Sequence, residues 1–269
     1  MEEQMVRDTL TEEEWTRFDR DGYVRLGRVM DDEELALLGQ RIDDIMLGTA
    51  DIDYRRTMMQ LDSDPERDGK PGPQSKGRKG ATLAYRKIQD LEYDAGYLAY
   101  MQKPLMRHIC ERVYGEGTSI ACFRAMFMNK PAHGGTELQW HQDRWRDLDR
   151  DPQITVWAAL NDSTIANGCV KIVPGSHDTL RNPESGAGFL TPEQIEELVE
   201  EHEPEYLELK AGEGVLLHNW MLHSSEMNST DIPRRAFSVC YLDAETVSER
   251  GHTWNVMFGE GALALESIG

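Results

Sequence analysis

The chain is short of cysteine, of positive charge and of long apolar runs, and each shortage removes a class of function. Its four cysteines, Cys110, Cys122, Cys169 and Cys240, are scattered among mostly apolar neighbours. That spacing is not the paired pattern of zinc knuckles or redox sites, and it predicts buried, reduced thiols. Basic residues number 29 against 49 acidic ones, a formal charge of −20. An overall field of that sign repels polyanions, so no nucleic-acid partner is expected. No apolar run reaches the roughly 18 residues of a membrane-spanning helix, and the N-terminal "MEEQMVRDTLTEEEWTRF" lacks the basic, apolar and small-residue regions of a secretory signal. The expectation is a soluble cytoplasmic protein with no membrane partner. No internal repeat and no Ser/Gly linker divides the 269 residues, which predicts one domain over 1–269. Nothing in the sequence bears on oligomeric state.

Residues 1–50 read as largely helical. Thr11 followed by Glu14 is a capping-box start, and Leu35, Leu38, Ile42, Ile45 and Met46 recur at the three-to-four spacing of an amphipathic helix. Between them, "GYVRLGRVM" alternates like a short strand. Residues 51–80 lose periodicity, and "GKPGPQSKGRKG" holds four basic residues among turn formers. This predicts a long surface loop, a candidate lid. From 81 to 245, short β-rich segments alternate with Gly, Pro and Asn turns around one long helical stretch. The predicted fold is mainly β with flanking helices, an antiparallel sandwich or jelly roll.

The segment "LQWHQDRW" sets His141 and Asp143 two positions apart. In a strand, residues i and i+2 point to one side, so the pair can converge on one ion. A mononuclear Fe(II) site of the facial-triad kind needs two imidazoles and a carboxylate on one side of the metal. "LLHNWMLHSSEMNSTDIPRRAFS" offers two candidates for the second imidazole, His218 and His223. Oxygenases of this type chelate 2-oxoglutarate and need a guanidinium for its far carboxylate. Arg234 and Arg235, after the turn-rich "EMNSTDIP", can fold back beside His223. His218 lies at an odd offset from His223 and in a continuous strand would face the other way, which favours His223.

Taken together, "RKIQD", "MFMNKP", "WHQD", "VWAAL", "NGCVKIVPGSH" and "HSSEMNSTDIPRRAFS" resemble, in order and rough spacing, the phytanoyl-CoA dioxygenase family of Fe(II)/2-oxoglutarate oxygenases, over about Tyr85 to Leu242. The resemblance implies a double-stranded β-helix (a cupin-like jelly roll) whose open mouth holds iron. It implies that His141, Asp143 and His223 ligate the metal and that Arg234, the first of the two arginines, binds the C5 carboxylate of 2-oxoglutarate. Ser225 is a further implied contact, and Lys87, Met126 and Trp157 fall at positions lining the same pocket. His177 and the glycines of "NGCVKIVPGSH" are implied to hold a corner of the fold. The implied reaction consumes O2 and 2-oxoglutarate, releases succinate and CO2, and hydroxylates an aliphatic C–H of a small metabolite. Related halogenases carry a small residue at the carboxylate position, so Asp143 favours hydroxylation. Desaturation, cyclisation or epimerisation, and a cupin-like metal-binding protein without oxygenase activity, are the alternatives. Arg144 and Trp145, directly after the His-x-Asp pair, and the basic residues Arg55, Arg56, Lys70, Lys76, Arg78 and Lys79 are the candidate substrate contacts.

Overall fold

A computed structural model describes residues 6–64 and 67–265. The chain starts with helix α1 (Glu12–Asp21), whose capping box closes between Thr11 and Glu14. Strand β1 (Tyr23–Arg28) leads to helix α2 (Asp32–Leu47), which buries Leu38, Ile42, Ile45 and Met46. Then come strands β2 (Met58–Leu61), β3 (Ser75–Lys76) and β4 (Tyr85–Gln89), helices α3 (Ala95–Met101) and α4 (Pro104–Tyr114), and the long strand β5 (Ile120–Lys130). Strands β6 (Leu138–His141), β7 (Ile154–Ala159) and β8 (Val170–Ile172) precede helix α5 (Pro192–Glu201). The chain closes with β9 (Glu205–Leu207), β10 (Glu213–His218), β11 (His223–Ser225), β12 (Arg234–Asp243) and β13 (Asn255–Phe258).

These strands form two antiparallel sheets. The larger runs β1-β10-β7-β12-β5-β4-β2-β3, with β13 also paired to β5, and the smaller runs β6-β11-β8-β9. Strand alternation divides the larger sheet into two faces. Phe237, Val239 and Tyr241 of β12, Val156 and Ala158 of β7, Leu216 of β10 and Phe127 of β5 pack against α2, α3 and α4 in one apolar core. From the opposite face, Trp157, Ala159, Val215, Leu217 and Ala236 meet Val170, Ile172 and Leu207 of the smaller sheet. Two facing sheets with helices outside one of them make the jelly roll that the segment pattern predicts.

Two boundaries differ from the sequence reading. Residues 51–80 are partly sheet: β2 pairs with both β3 and β4, and Met59 is fully buried. Edge strands this short, set among Gly and Pro, carry too little alternation to be seen in the sequence. The large sheet also extends beyond 81–245, because β1 and β13 join it. Among the described residues, no helix is long and apolar enough to cross a membrane. All four cysteines are free and buried, as expected.

Candidate metal centre

His141 and His223 are cross-strand partners in the β6–β11 pair. Opposed residues of an antiparallel pair bring their side chains together, and the two imidazole centroids are 4.0 Å apart. Asp143 follows the end of β6, where its backbone N–H donates to the Asn219 carbonyl at 2.7 Å. One ligand atom each from His141, Asp143 and His223 lies within 4.8 Å of the others. His218 is not in this cluster. It ends β10 in the larger sheet whereas His223 sits on β11 in the smaller one, so the two do not share the continuous strand assumed above.

The hydrogen bonds fix which nitrogens are available. Nδ1 of His141 is 2.9 Å from the Gln139 carbonyl, and Nδ1 of His223 is 2.9 Å from the Met221 carbonyl. A carbonyl can only accept, so each Nδ1 carries the proton and each Nε2 presents a lone pair toward Asp143. The Nε2 atoms lie 3.9 Å and 4.0 Å from the Asp143 carboxylate oxygens. Burial, with His223 alongside, pushes His141 down to about 4, so it is neutral near pH 7. Burial raises the Asp143 carboxyl, but His223, His141, Arg124 and Lys87 outweigh it and hold the group below its ordinary range. Two imidazoles and a carboxylate fit the donor set of a divalent first-row metal.

The backbone around the cluster is held by groups that sequence reasoning did not single out. Gln142 points away from its two neighbours and is fully buried. Its amide donates to the carbonyls of Thr179 and Trp220 at 2.8 and 2.6 Å, and its oxygen accepts from the Arg181 N–H at 2.8 Å. Position 188 must be glycine: it adopts φ +70°, and a Cβ there would lie 1.8 Å from the Gln142 carbonyl oxygen. That close crossing brings Phe189 against His141, stacked at 4.8 Å. In the "NGCVKIVPGSH" corner, Gly168 and Gly175 adopt φ +78° and +76°. His177 is buried there, 5.1 Å from the ring of His218.

The triad opens into a cavity of about 320 Å³, within the ~300–1,000 Å³ usual for small-molecule sites. Lys87, Met126, Trp157, Ser225, Arg234, Arg144 and Trp145 all line it. Arg234 is 4% exposed, its Nε has no hydrogen-bond partner, and its guanidinium lies 5.5 Å from the Trp157 ring centre. Burial pulls it down to about 10, so it keeps its charge at neutral pH. Its neighbour Arg235 turns to the other face and pairs with Asp43 of α2 at 2.8 Å. Arg55 and Arg56 are not brought to the cavity: Arg55 is held by Asp53, and Arg56 lies over the Tyr93 ring at 3.8 Å beside two other clefts. Among the described residues of 51–80, none lines the cavity. Arg86 and Arg124 do, and neither was singled out from the sequence. Arg124 shares the parity of Met126 on β5 and was readable on that ground. Arg86 was not, because alternation from Lys87 turns it away.

The phytanoyl-CoA dioxygenase (PhyH) family model matches residues 18–236. The chain belongs to that family. Among curated family members, a probable phytanoyl-CoA dioxygenase of Caenorhabditis elegans is 25% identical over 246 residues, covering 87% of this chain and 76% of the relative. The phytanoyl-CoA dioxygenase domain-containing protein 1 of Danio rerio is 22% identical over 92% of this chain and 95% of its own length. The Arabidopsis thaliana phytanoyl-CoA dioxygenase is 30% identical over 49% of this chain, an alignment spanning about half (47%) of that protein. Among solved structures, EctD from S. alaskensis with bound Fe superposes with a TM-score of 0.73 at 19% identity, covering 98% of this chain and 92% of that one. SnoK, a non-heme alpha-ketoglutarate-dependent carbocyclase, superposes with a TM-score of 0.59 at 18% identity over 92% and 89% of the two chains. These likenesses are to the fold.

Proposed function

We propose that the protein is a non-haem Fe(II)/2-oxoglutarate-dependent dioxygenase that hydroxylates an aliphatic C–H of a small metabolite. The observation that carries this reading is one cavity holding both the three-donor cluster and an unpaired, buried guanidinium. A metal site alone has no use for Arg234, and burying a cation without a partner is costly unless a ligand supplies the counter-charge. Fe and 2-oxoglutarate also accompany EctD in its solved structures.

The residues divide the work. His141 and His223 offer their Nε2 atoms, held in tautomer and orientation by the Gln139 and Met221 carbonyls. Asp143 supplies the carboxylate and lowers the net charge of the site. Arg234 receives the distal carboxylate of 2-oxoglutarate through two parallel hydrogen bonds, with Trp157 beneath it. Ser225, buried on β11, and Lys87 on β4 complete the polar contacts, while Met126 and Phe189 supply apolar wall. The chemistry supplied by the bound metal and co-substrate is oxidation of an unactivated C–H bond by O2, coupled to conversion of 2-oxoglutarate to succinate and CO2. Asp143 occupies the position left to a small residue in halogenases, which supports hydroxylation as the outcome.

The test is succinate release with Fe(II), 2-oxoglutarate and O2 across a metabolite panel, with products identified by mass. A substrate gaining one oxygen per succinate supports the reading. Absence of iron-dependent succinate formation with every compound, including the slow uncoupled background, contradicts it.

A further inference from the structure

Two strands away from Arg234 stands a second guanidinium, that of Arg86, which has no task in the chemistry described so far. Arg234 begins β12, Arg86 lies in β4, and β5 runs between those strands. The register puts both at the same end of the sheet. Lys87 is opposite Met128, which is opposite Ala236; further along β5, Asn129 is opposite Arg235 and Lys130 is opposite Arg234. Arg86 follows Lys87 in that direction, beside Asn129, whose side-chain amide donates to the Tyr85 carbonyl at 3.0 Å. With neighbouring strands about 4.8 Å apart, the backbones of Arg86 and Arg234 are roughly 10–12 Å from one another. Two arginine side chains on one face can close such a gap from both sides. Both line the cavity.

A backbone irregularity gives Arg86 that face. Lys87 is opposite Gln60 and Tyr85 is opposite Leu61, so Arg86 is an extra residue in the ladder between β4 and β2. Such a β-bulge re-aims a side chain next to a site. Regular alternation would turn Arg86 away from the face that Lys87 occupies. With the bulge, the two sequence neighbours both line the cavity. The family resemblance gives a place to Lys87 on this strand and none to Arg86.

The protein does not neutralise this end of the cavity itself. Among the described residues, neither Arg86 nor Arg234 forms an ion pair, and Nε of Arg234 has no hydrogen-bond partner. Asp62 opposes the burial that pulls Arg86 down, but Asp62 accepts from the Gly135 N–H at 3.2 Å and its Oδ1 has no partner. Lys130, buried opposite Arg234, donates to the Thr136 carbonyl at 2.7 Å and is pushed down to about 7, by burial first and then by Arg234 and Arg86. Both guanidiniums therefore act on the same lysine, which agrees with the register. A crowded lysine can give up its proton, whereas guanidiniums keep their charge at neutral pH. Buried charge of that kind is stable only with a counter-charge, which a ligand must then bring. We propose that Arg86 is a second receiver of the distal carboxylate of 2-oxoglutarate, closing on it across the cavity wall from Arg234. The inference rests on the dioxygenase reading, which supplies the ligand.

The experiment titrates the full chain, loaded with Fe(II) without oxygen, with 2-oxoglutarate and with 2-oxopentanoate, which has a methyl group in place of the distal carboxylate. The charge-transfer absorption of each chelate reports binding. Arg86→Gln should weaken 2-oxoglutarate about tenfold, as expected for a lost charge-assisted pair, and change 2-oxopentanoate by less than about twofold. Arg86→Lys should lose only about threefold for 2-oxoglutarate, since the ammonium keeps the charge without the planar contact. A role in the fold alone would weaken both 2-oxoacids together, because they chelate iron in the same way. The inference is overturned if Arg86→Gln leaves 2-oxoglutarate within about twofold of wild type, or if the two ligands weaken equally. Should Arg86→Gln not fold, Arg86→Lys decides by the same comparison: a loss confined to 2-oxoglutarate supports the assignment, and no loss or an equal one overturns it. If wild type gives no band with either 2-oxoacid, the dioxygenase reading falls and takes the inference with it. A wild-type band whose preference for the dicarboxylate is indifferent to Arg86 brings down the inference alone.

Discussion

The two faces of the large sheet are built from the same strands and do opposite things. On β12, Phe237, Val239 and Tyr241 go to the helices and are completely buried, while Arg234 and Ser238 line the cavity. On β5, Phe127 enters the helical core while Arg124 and Met126 face the cavity. The helical face is apolar, with Tyr97 and Tyr100 of α3 packed 4.7 and 5.7 Å from Phe237. The cavity face holds Arg234, a buried cation whose Nε has no hydrogen-bond partner. One face supplies the stability that lets the other keep groups a folded protein would otherwise avoid.

The largest effect that separates the faces is expected at the triad. His223→Ala, and equally Asp143→Ala, should abolish stoichiometric Fe(II) binding and turnover while the melting temperature of the metal-free protein moves little, because neither side chain is part of the helical core. Iron titration followed by calorimetry checks this; full turnover by Asp143→Ala under limiting iron would remove the carboxylate from the metal set. Next comes Phe237→Ala, which should cost about 3–5 kcal/mol of folding stability in denaturant unfolding. The fraction that remains folded should bind 2-oxoglutarate with nearly native affinity.

Adjacent arginines sharpen the contrast. Arg234→Ala should weaken 2-oxoglutarate binding by roughly 2–5 kcal/mol, about thirty- to several-thousand-fold, and Arg234→Lys should restore only part of it. Arg235→Ala should leave that affinity unchanged and lose on the order of 1 kcal/mol of stability with its pair to Asp43. If Arg235→Ala is the variant that loses the co-substrate, the two faces have been assigned to the wrong residues.

The smallest effect is expected at His218. It accepts a hydrogen bond from the Trp220 N–H at 3.1 Å, and burial first, then His177, pushes it down to about 4. A base whose folded value lies below its free value adds stability that is fully present above about pH 6.5 and is lost as pH falls toward about 4. His218→Gln should therefore flatten the fall in melting temperature over that interval and leave Fe(II) affinity within about twofold. An unchanged acid profile, or lost iron binding, would go against this placement.

Much of this division was legible in the sequence, for a physical reason. Alternation along a strand is a strict rule, so Arg234 and Arg235 had to part company, and Trp157 and Met126 could be placed beside the metal residues by the motifs around them. The rule fails where the ladder is irregular. Arg86 was invisible because a bulge puts it on the same wall as Lys87. The parity argument against His218 assumed one strand where the chain crosses between two sheets. Residues 51–80 hid β2 and β3, since strands of four and two residues at a sheet edge have almost no pattern to read. Gln142, between His141 and Asp143, could be recognised only once the loops it ties together were in view.

The most direct test of the central claim is an anaerobic titration of the metal-free protein with Fe(II) and 2-oxoglutarate, following the visible charge-transfer absorption of the chelate. The account predicts a band that requires both components, saturates at one iron per chain, vanishes in His223→Ala, needs far more 2-oxoglutarate in Arg234→Ala, and persists in His218→Ala. A band that survives His223→Ala and disappears in His218→Ala, or no band at all in the wild type, would contradict it.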